Sequence, residues 1–343
     1  MRQHVRFCTS FDGTRLAFAF SGEGPPLVRA PHWFTHLEHD WTNPAMRPWV
    51  EDLSKRYRLL RFDQRGTGMS DREVREISPE AHARDLEAVV EAAGVERFAL
   101  IGLSQGAAYA IAYTANHPER VSHLVICGGF ARGWAKRGWS AERMEEMETM
   151  VKLIEFGWGS DEPSFRQVFT SQFMPDASLE VIRGFNAFMP LTASARTAAR
   201  IFKTNSALDV QADARRIGCP TLVLHGSGEI RIPFEEGRLI AGLVPGARFV
   251  TLETRNHLMR QDEPAWRQTA DEGIAGRVPV EWRQELDWLE PADQVGESVD
   301  EVGGKGNAGG SAGGPCLAPR GGADREGKLV ASSAQEGMFR PAK

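Results

Sequence analysis

Apolar positions along this chain follow two alternating rhythms. Residues 57–62, 98–101, 121–127, 219–225 and 247–252 are short, nearly continuous apolar runs, the pattern of strands buried on both faces. Between them lie runs with helical spacing. Ser78 can cap a helix reaching residue 93, with Ala83, Leu86, Val89 and Val90 on one face and Gly94 as its stop. Residues 44–53, 107–115 and 234–243 read as further helices, and Leu27-Val28 opens another strand. Residues 5–10 and 15–20, joined around Asp12-Gly13, form a hairpin, because both turn positions tolerate positive φ. Strands alternating with helices imply a mostly parallel, twisted sheet with helices on both faces, preceded by an antiparallel hairpin. The fold class is α/β.

From residue 132 to 217 the alternation stops. Met144, Met147, Val151 and Ile154 follow the cap residue Ser140 at helical spacing, and Phe165, Val168, Phe169 and Phe173 do likewise, then Ile182, Phe185 and Met189. No strand-like run interrupts them, so 132–217 is a helical cap insertion between two parts of one core, 1–131 and 218–274. Such stripes build a core of their own, and part of the same surface can roof an apolar pocket. From 275 to 343 the chain is rich in Gly, Ala and charge without periodicity, which predicts a low-complexity, disordered tail.

Composition narrows the partners. At 343 residues, 41% hydrophobic and 25% charged, the chain has material for a sizeable core. A net charge of −5 with no basic cluster argues against nucleic acid. No run approaches the length of a membrane span, and residues 1–8 lack the apolar centre of a signal peptide, so no membrane partner and a cytoplasmic location are expected. The four cysteines, Cys8, Cys127, Cys219 and Cys316, are scattered without a C-x-x-C pair and read as reduced thiols, the first three buried at strands.

The chemistry centres on Gly102-Leu103-Ser104-Gln105-Gly106, which joins a buried strand to a helix. Glycine two positions either side of a serine is what a nucleophile elbow needs, since the tight turn leaves no room for side chains there. The helix N-terminus behind the serine presents backbone N–H groups to an oxyanion. Glu229 and His257 each lie in a loop after a later strand, giving the order serine, acid, histidine. Asp262 and Asp271 follow the histidine and so break that order, and Cys127-Gly-Gly-Phe130 offers no carboxylate. His32, His36, Glu38, His39 and Asp40 form a polar cluster, but interleaved Trp33, Phe34 and Trp41 and an irregular strand exit argue against a metal site. Asp63, Arg65 and Asp71 read as ties between a loop and the core rather than as acid/base groups.

These strings, with Phe7-Cys-Thr-Ser-Phe-Asp-Gly13, Thr35-His-Leu-Glu-His-Asp-Trp41, Asp63-Gln-Arg-Gly66, His117-Pro-Glu-Arg-Val-Ser-His-Leu124, Pro233-Phe-Glu-Glu-Gly-Arg238 and Arg255-Asn-His257, resemble the α/β-hydrolase superfamily. The bacterial group also found fused to helix-turn-helix regulators or nucleotide cyclases is the most similar part of it. The resemblance implies Ser104 as nucleophile, His257 as base, Glu229 as acid, and oxyanion donors at the backbone N–H of Gln105 and Trp33, with His32 the neighbouring alternative. It departs from the family in three places. Glu229 stands for the usual Asp, Pro31-His32 for the usual His-Gly, and Arg267-Gln-Thr-Ala-Asp-Glu-Gly273 lacks the apolar face of a final helix, which a shifted reading frame would explain. The expected activity is hydrolysis of an ester, lactone, amide or related carbonyl in a small apolar molecule through an acyl-enzyme, without a cofactor. Carbon–carbon bond hydrolysis and cofactor-free peroxidation are compatible with the same triad. The alternative reading is a non-catalytic ligand-sensing or regulatory domain on this fold.

Overall fold

The computed structural model describes residues 3–265, apart from 34, 163, 261 and 262. The tail expected over 275–343 and the segment expected to lack a final helix, 267–273, lie outside the described residues.

The hairpin comes first. β1 (His4–Thr9) and β2 (Arg15–Ser21) pair antiparallel around Gly13, whose φ of 88° is the positive value that the Asp-Gly turn asks for. β3 (Pro26–Arg29), α1 (Arg47–Ser54), β4 (Arg58–Phe62), α2 (Pro79–Ala93), β5 (Phe98–Leu103), α3 (Gly106–Asn116) and β6 (Val121–Cys127) then alternate as the sequence predicts. The Ser78 hydroxyl accepts from Ala81 N–H at the start of α2, and Gly94 closes that helix at φ 65°. α1 begins three residues later than its pattern suggests, because Asn43 Oδ1 draws the N–H groups of Ala45 and Met46 into a turn first.

The eight strands form one sheet in the order β1-β2-β4-β3-β5-β6-β7-β8, parallel from β4 onward, where β7 is Thr221–Gly226 and β8 is Arg248–Leu252. The chain moves outward one way from β3 to β4 and the other way from β5, so the strand order reverses between β3 and β5. At such a switch point the loops leaving the strands' C-terminal ends diverge and open a crevice. Val28, Leu100, Ile126 and Val223 fill one side of the sheet together with α2 and α3, and Leu59, Ile101 and Leu224 fill the other.

Between β6 and β7 run α4 (Ala141–Gly157), α5 (Ser164–Phe173), α6 (Leu179–Thr192), α7 (Ala195–Asn205) and the short α8 (Gln211–Ala214). The first four build their own apolar core from Met147, Ile154, Trp158, Phe169, Phe173, Phe185, Met189 and Phe202. Backbone bonds from Gly133 N–H to Leu208 C=O and from Val210 N–H to Ala131 C=O tie the two ends of the insertion together at its base. α8 packs on α3 and on α9 (Phe234–Leu243), so it sides with the α/β part. α7 was not legible as a separate helix. Its cap is Ser194, which accepts from Thr197 N–H, and its buried residues are Thr197, Ala198, Ala199, Ile201, Phe202 and Asn205. Of the cysteines expected to be buried, Cys127 is, while Cys8 and Cys219 are half-buried; all three are free thiols. Among the described residues no helix is long and apolar enough to cross a membrane.

The loop after β4 is tied down as expected. Arg65 pairs with Asp85 at 2.7 Å and Asp12 at 2.8 Å, and Asp71 accepts from Arg15 N–H at 2.8 Å. Asp63 is fully buried and accepts from Leu37 N–H at 3.1 Å and Met69 N–H at 2.9 Å. Burial outweighs those bonds and raises its pKa to about 7. Between pH 4 and 7 the folded chain therefore holds a proton on Asp63 that the unfolded chain has released, and stability falls as pH rises through that window. Asp63→Asn is expected to flatten this fall in urea unfolding measured across the window; an unchanged slope would place Asp63 at its ordinary pKa.

Candidate active site

Ser104 sits at the first residue after β5 with φ 53°, and no other non-glycine among the described residues has a positive φ. That conformation crowds Cβ against the backbone, so its surroundings must hold it there. Three glycines make the room. A Cβ on Gly102 would lie 2.7 Å from Ala107 Cα and Gly106 C=O, and one on Gly106 would lie 2.9 Å from Pro31 C=O. On Gly129 it would meet Ala107 Cβ at 2.3 Å. The strand, the helix and the chain leaving β3 thus cross at backbone contact. Gln105 caps α3, so its N–H belongs to the set that a helix start leaves without an intrahelical acceptor.

Glu229 and His257, expected from their loops after β7 and β8, are joined. His257 Nδ1 and Glu229 Oε1 are 2.5 Å apart, and both side chains are buried. The extra methylene of glutamate over aspartate is absorbed by the loop, where Ile232 N–H also donates to Oε1 at 2.9 Å. His225 Nε2 stands 3.5 Å from Oε2. The histidine loop is anchored by the end of α5: Phe173 C=O accepts from His257 N–H at 2.8 Å and from Leu258 N–H at 3.1 Å. The two N–H groups thus satisfy a carbonyl at a helix end that would otherwise lack donors.

Gly128 and Gly129 connect this pair to the elbow. A Cβ on Gly128 would lie 3.2 Å from both Glu229 Oε2 and His257 Nδ1, while Gly129 abuts Ala107 and the carbonyl of Ser104. Two residues without side chains therefore separate Ser104 from the acid–histidine pair. Ser104 Oγ makes no hydrogen bond to either of them among the described residues.

A second set of polar groups was not legible in the sequence. Tyr109 O–H donates to Asn205 Oδ1 at 2.9 Å, Asn205 Nδ2 donates to Gln105 Oε1, and Gln105 Nε2 donates to Gln64 Oε1 at 3.2 Å. Gln64 Nε2 in turn reaches the carbonyls of His32 and Trp33 at 3.3 and 3.4 Å. In a trans peptide the C=O and the following N–H point opposite ways, so holding the His32 carbonyl fixes the direction of Trp33 N–H. His32 is buried and neutral: burial first, then Arg29 and His257, hold its pKa well below the usual histidine value. The Trp33 ring belongs to the insertion's core, lying against Trp158 and Phe202, and its Nε1–H donates to Ala198 C=O at 3.1 Å.

Trp33, Ser104 and Gln105 line one cavity of about 260 Å³, roofed by α4, α5 and α7. Its walls mix aromatic rings, among them Phe130, Trp134, Trp139, Phe173 and Phe202, with polar groups that include Arg137, Arg143 and Arg231. The cluster around His36 binds differently. Asp40 pairs with Arg29 at 3.0 Å and Arg61 at 2.7 Å, and among the described residues no group of His, Cys, Asp or Glu is arranged to hold a metal.

A model of the alpha/beta hydrolase fold matches residues 38–264. The chain is 26% identical over 257 residues to a pyrrolizixenacetamide deacetylase of Xenorhabdus hominickii, covering 73% of this chain and 90% of that one. It is 25% identical over 237 residues to a putative carbamate hydrolase, RutD, of Klebsiella pneumoniae (strain 342), covering 66% and 85%. An esterase of Exiguobacterium antarcticum superposes with a TM-score of 0.64 at 23% identity, over 77% of this chain and 95% of that one. At that identity the likeness is one of fold.

The elbow's packing generates a direct test. Gly102→Ala forces a Cβ into helix backbone that cannot swing aside, and is expected to cost about 1–3 kcal/mol in chemical unfolding. A variant as stable as the parent would mean that strand and helix are farther apart than described.

Proposed function

Because this chain belongs to the alpha/beta hydrolase family, we propose that it is a serine hydrolase acting on an ester, lactone, amide or related carbonyl of a small molecule. The observation that carries this reading is the buried Glu229–His257 hydrogen bond, set across Gly128 and Gly129 from a serine in left-handed conformation.

The chemistry follows from which atoms are committed. Glu229 occupies His257 Nδ1, so Nε2 is the nitrogen left to accept the Ser104 proton. Ser104 Oγ attacks the carbonyl carbon, and the charge that gathers on the carbonyl oxygen is met by the N–H groups of Gln105 and Trp33. Glu229 stabilises the imidazolium formed at this point. His257 then protonates the leaving group, and an acyl-enzyme remains. Water, deprotonated by His257, attacks the acyl group and returns Ser104. Every role is filled by a side chain or backbone group, so the cycle is written without a cofactor. Cleavage of a carbon–carbon bond beside a ketone uses the same steps with a carbanion leaving.

The insertion over 132–217 acts in this reading as a cap, since it supplies the cavity's roof and most of its aromatic wall. Free thiols at Cys8, Cys127 and Cys219 fit a cytoplasmic setting.

Purified protein is expected to take up a fluorophosphonate probe on Ser104 and to hydrolyse p-nitrophenyl esters. Ser104→Ala should abolish labelling and lower kcat by about 10⁶-fold, and Glu229→Gln should lower kcat by about 10⁴-fold with little change in KM. A folded wild type that binds small carbonyl compounds but is neither labelled nor active would instead make the chain a ligand sensor.

A further inference from the structure

The cavity above Ser104 holds three arginines against one carboxylate, Glu146. Two of the three are accounted for. Arg143 pairs with Glu146, and Arg137 lies 3.7 Å from Glu236, which also takes Arg132 at 2.8 Å. Arg231 differs. Among the described residues it has no carboxylate partner; its polar contact is a 3.3 Å hydrogen bond to Gln172 Oε1. The nearby carboxylate of Glu229 is already committed to His257 and Ile232 N–H.

The setting makes that lack of a partner informative. The Arg231 guanidinium lies over the rings of Phe173 and Phe202, 5.3 and 5.1 Å from their centroids, so its faces are turned to aromatic carbon. What remains available is its edge, where the N–H groups form the planar fork that matches a carboxylate. Burial, with Arg137 and Arg143 nearby, lowers its pKa to about 10, which leaves it cationic at neutral pH. Arg231 is half-buried, and a partly desolvated cation with no carboxylate partner is costly; a chain that only needed an apolar wall would place an apolar side chain there.

We propose that Arg231 is an anion subsite, and that the substrate of the Ser104 reaction is a small ester or amide carrying a carboxylate. The inference rests on the serine hydrolase reading for the word substrate, but not for the binding itself. It narrows the apolar molecule expected from the sequence to one with an aromatic or aliphatic body and one anionic end. Arg231 shares the loop between β7 and α9 with Glu229, so the same short segment fixes both the triad's acid and the substrate's charge.

The test compares matched probes that differ in one charge. p-Nitrophenyl hemiglutarate is set against p-nitrophenyl valerate for a charge on the acyl side, and 4-acetoxybenzoate against phenyl acetate for one on the leaving group. Each kcat/KM is normalised to alkaline hydrolysis. The wild type is expected to favour the anionic ester in at least one pair. Arg231→Met should lower that preference by about 10- to 100-fold, and Arg231→Lys by less. Added salt should erode it in the wild type. A wild type without preference in both pairs, or a preference that Arg231→Met leaves in place, overturns the proposal. Should Arg231→Met fail to fold, Arg231→Lys and the salt series decide in the same sense. If neither kind of ester is hydrolysed by a folded wild type, the hydrolase reading fails separately. The subsite is then decided by calorimetry of glutarate and benzoate binding to Ser104→Ala: loss on adding Arg231→Lys supports it, and equal or absent binding overturns it.

Discussion

The left-handed backbone at Ser104 is the constraint from which the rest of the site follows. A non-glycine residue in that conformation carries about 1–3 kcal/mol of strain, and only a fixed environment keeps it there. Here β5 and α3 are packed so closely that Gly102, Gly106 and Gly129 have no space for a Cβ. α3 in turn is nearly all small or aromatic, with Ala107, Ala108, Ala110 and Tyr109 buried against the sheet. The elbow is therefore a property of the packed core, which holds the Ser104 backbone in its turn.

Much of this is legible in the sequence. Glycine spacing around Ser104, the strand-like runs on either side and the Asp-Gly hairpin each follow from rules that act within a few residues, and the mostly parallel sheet follows from the alternation of elements, whereas the strand order does not. The meeting of Glu229 with His257 is legible because a parallel sheet sends every strand exit to one edge. What stayed hidden depends on long-range packing. Gln64, Asn205 and Tyr109 are ordinary polar residues until three separate elements bring them to Gln105. The direction taken by Arg231 is equally invisible, since its neighbours Phe173 and Phe202 come from a different part of the chain. α7 is not legible in the sequence because its buried face mixes Thr, Ala and Asn with only two large apolar residues.

The site is assembled from two bodies of different character. The α/β part carries Ser104, Glu229 and His257 on strand exits, where the backbone is held by the sheet. The insertion supplies the walls, through side chains of α4, α5 and α7. α5 does more than line the cavity, because the carbonyl of Phe173 holds the histidine loop while its ring packs edge-on against His257 at 5.3 Å. Displacing α5 would thus disturb His257 as well as the roof.

Trp33 makes that union hard to undo. Its backbone leaves β3 beside the elbow, yet its ring lies in the core of the insertion, between Trp158 and Phe202, with the indole N–H on Ala198 C=O. The insertion is tied off at its base and so looks like a module that evolution or an engineer could exchange for another. It is not a free module. A grafted replacement would strand a large aromatic ring in water, or pull on the very peptide beside Ser104, unless residue 33 were chosen again to match. In lineages where such insertions have been traded, position 33 should change in step with the helices above it rather than with the sheet below.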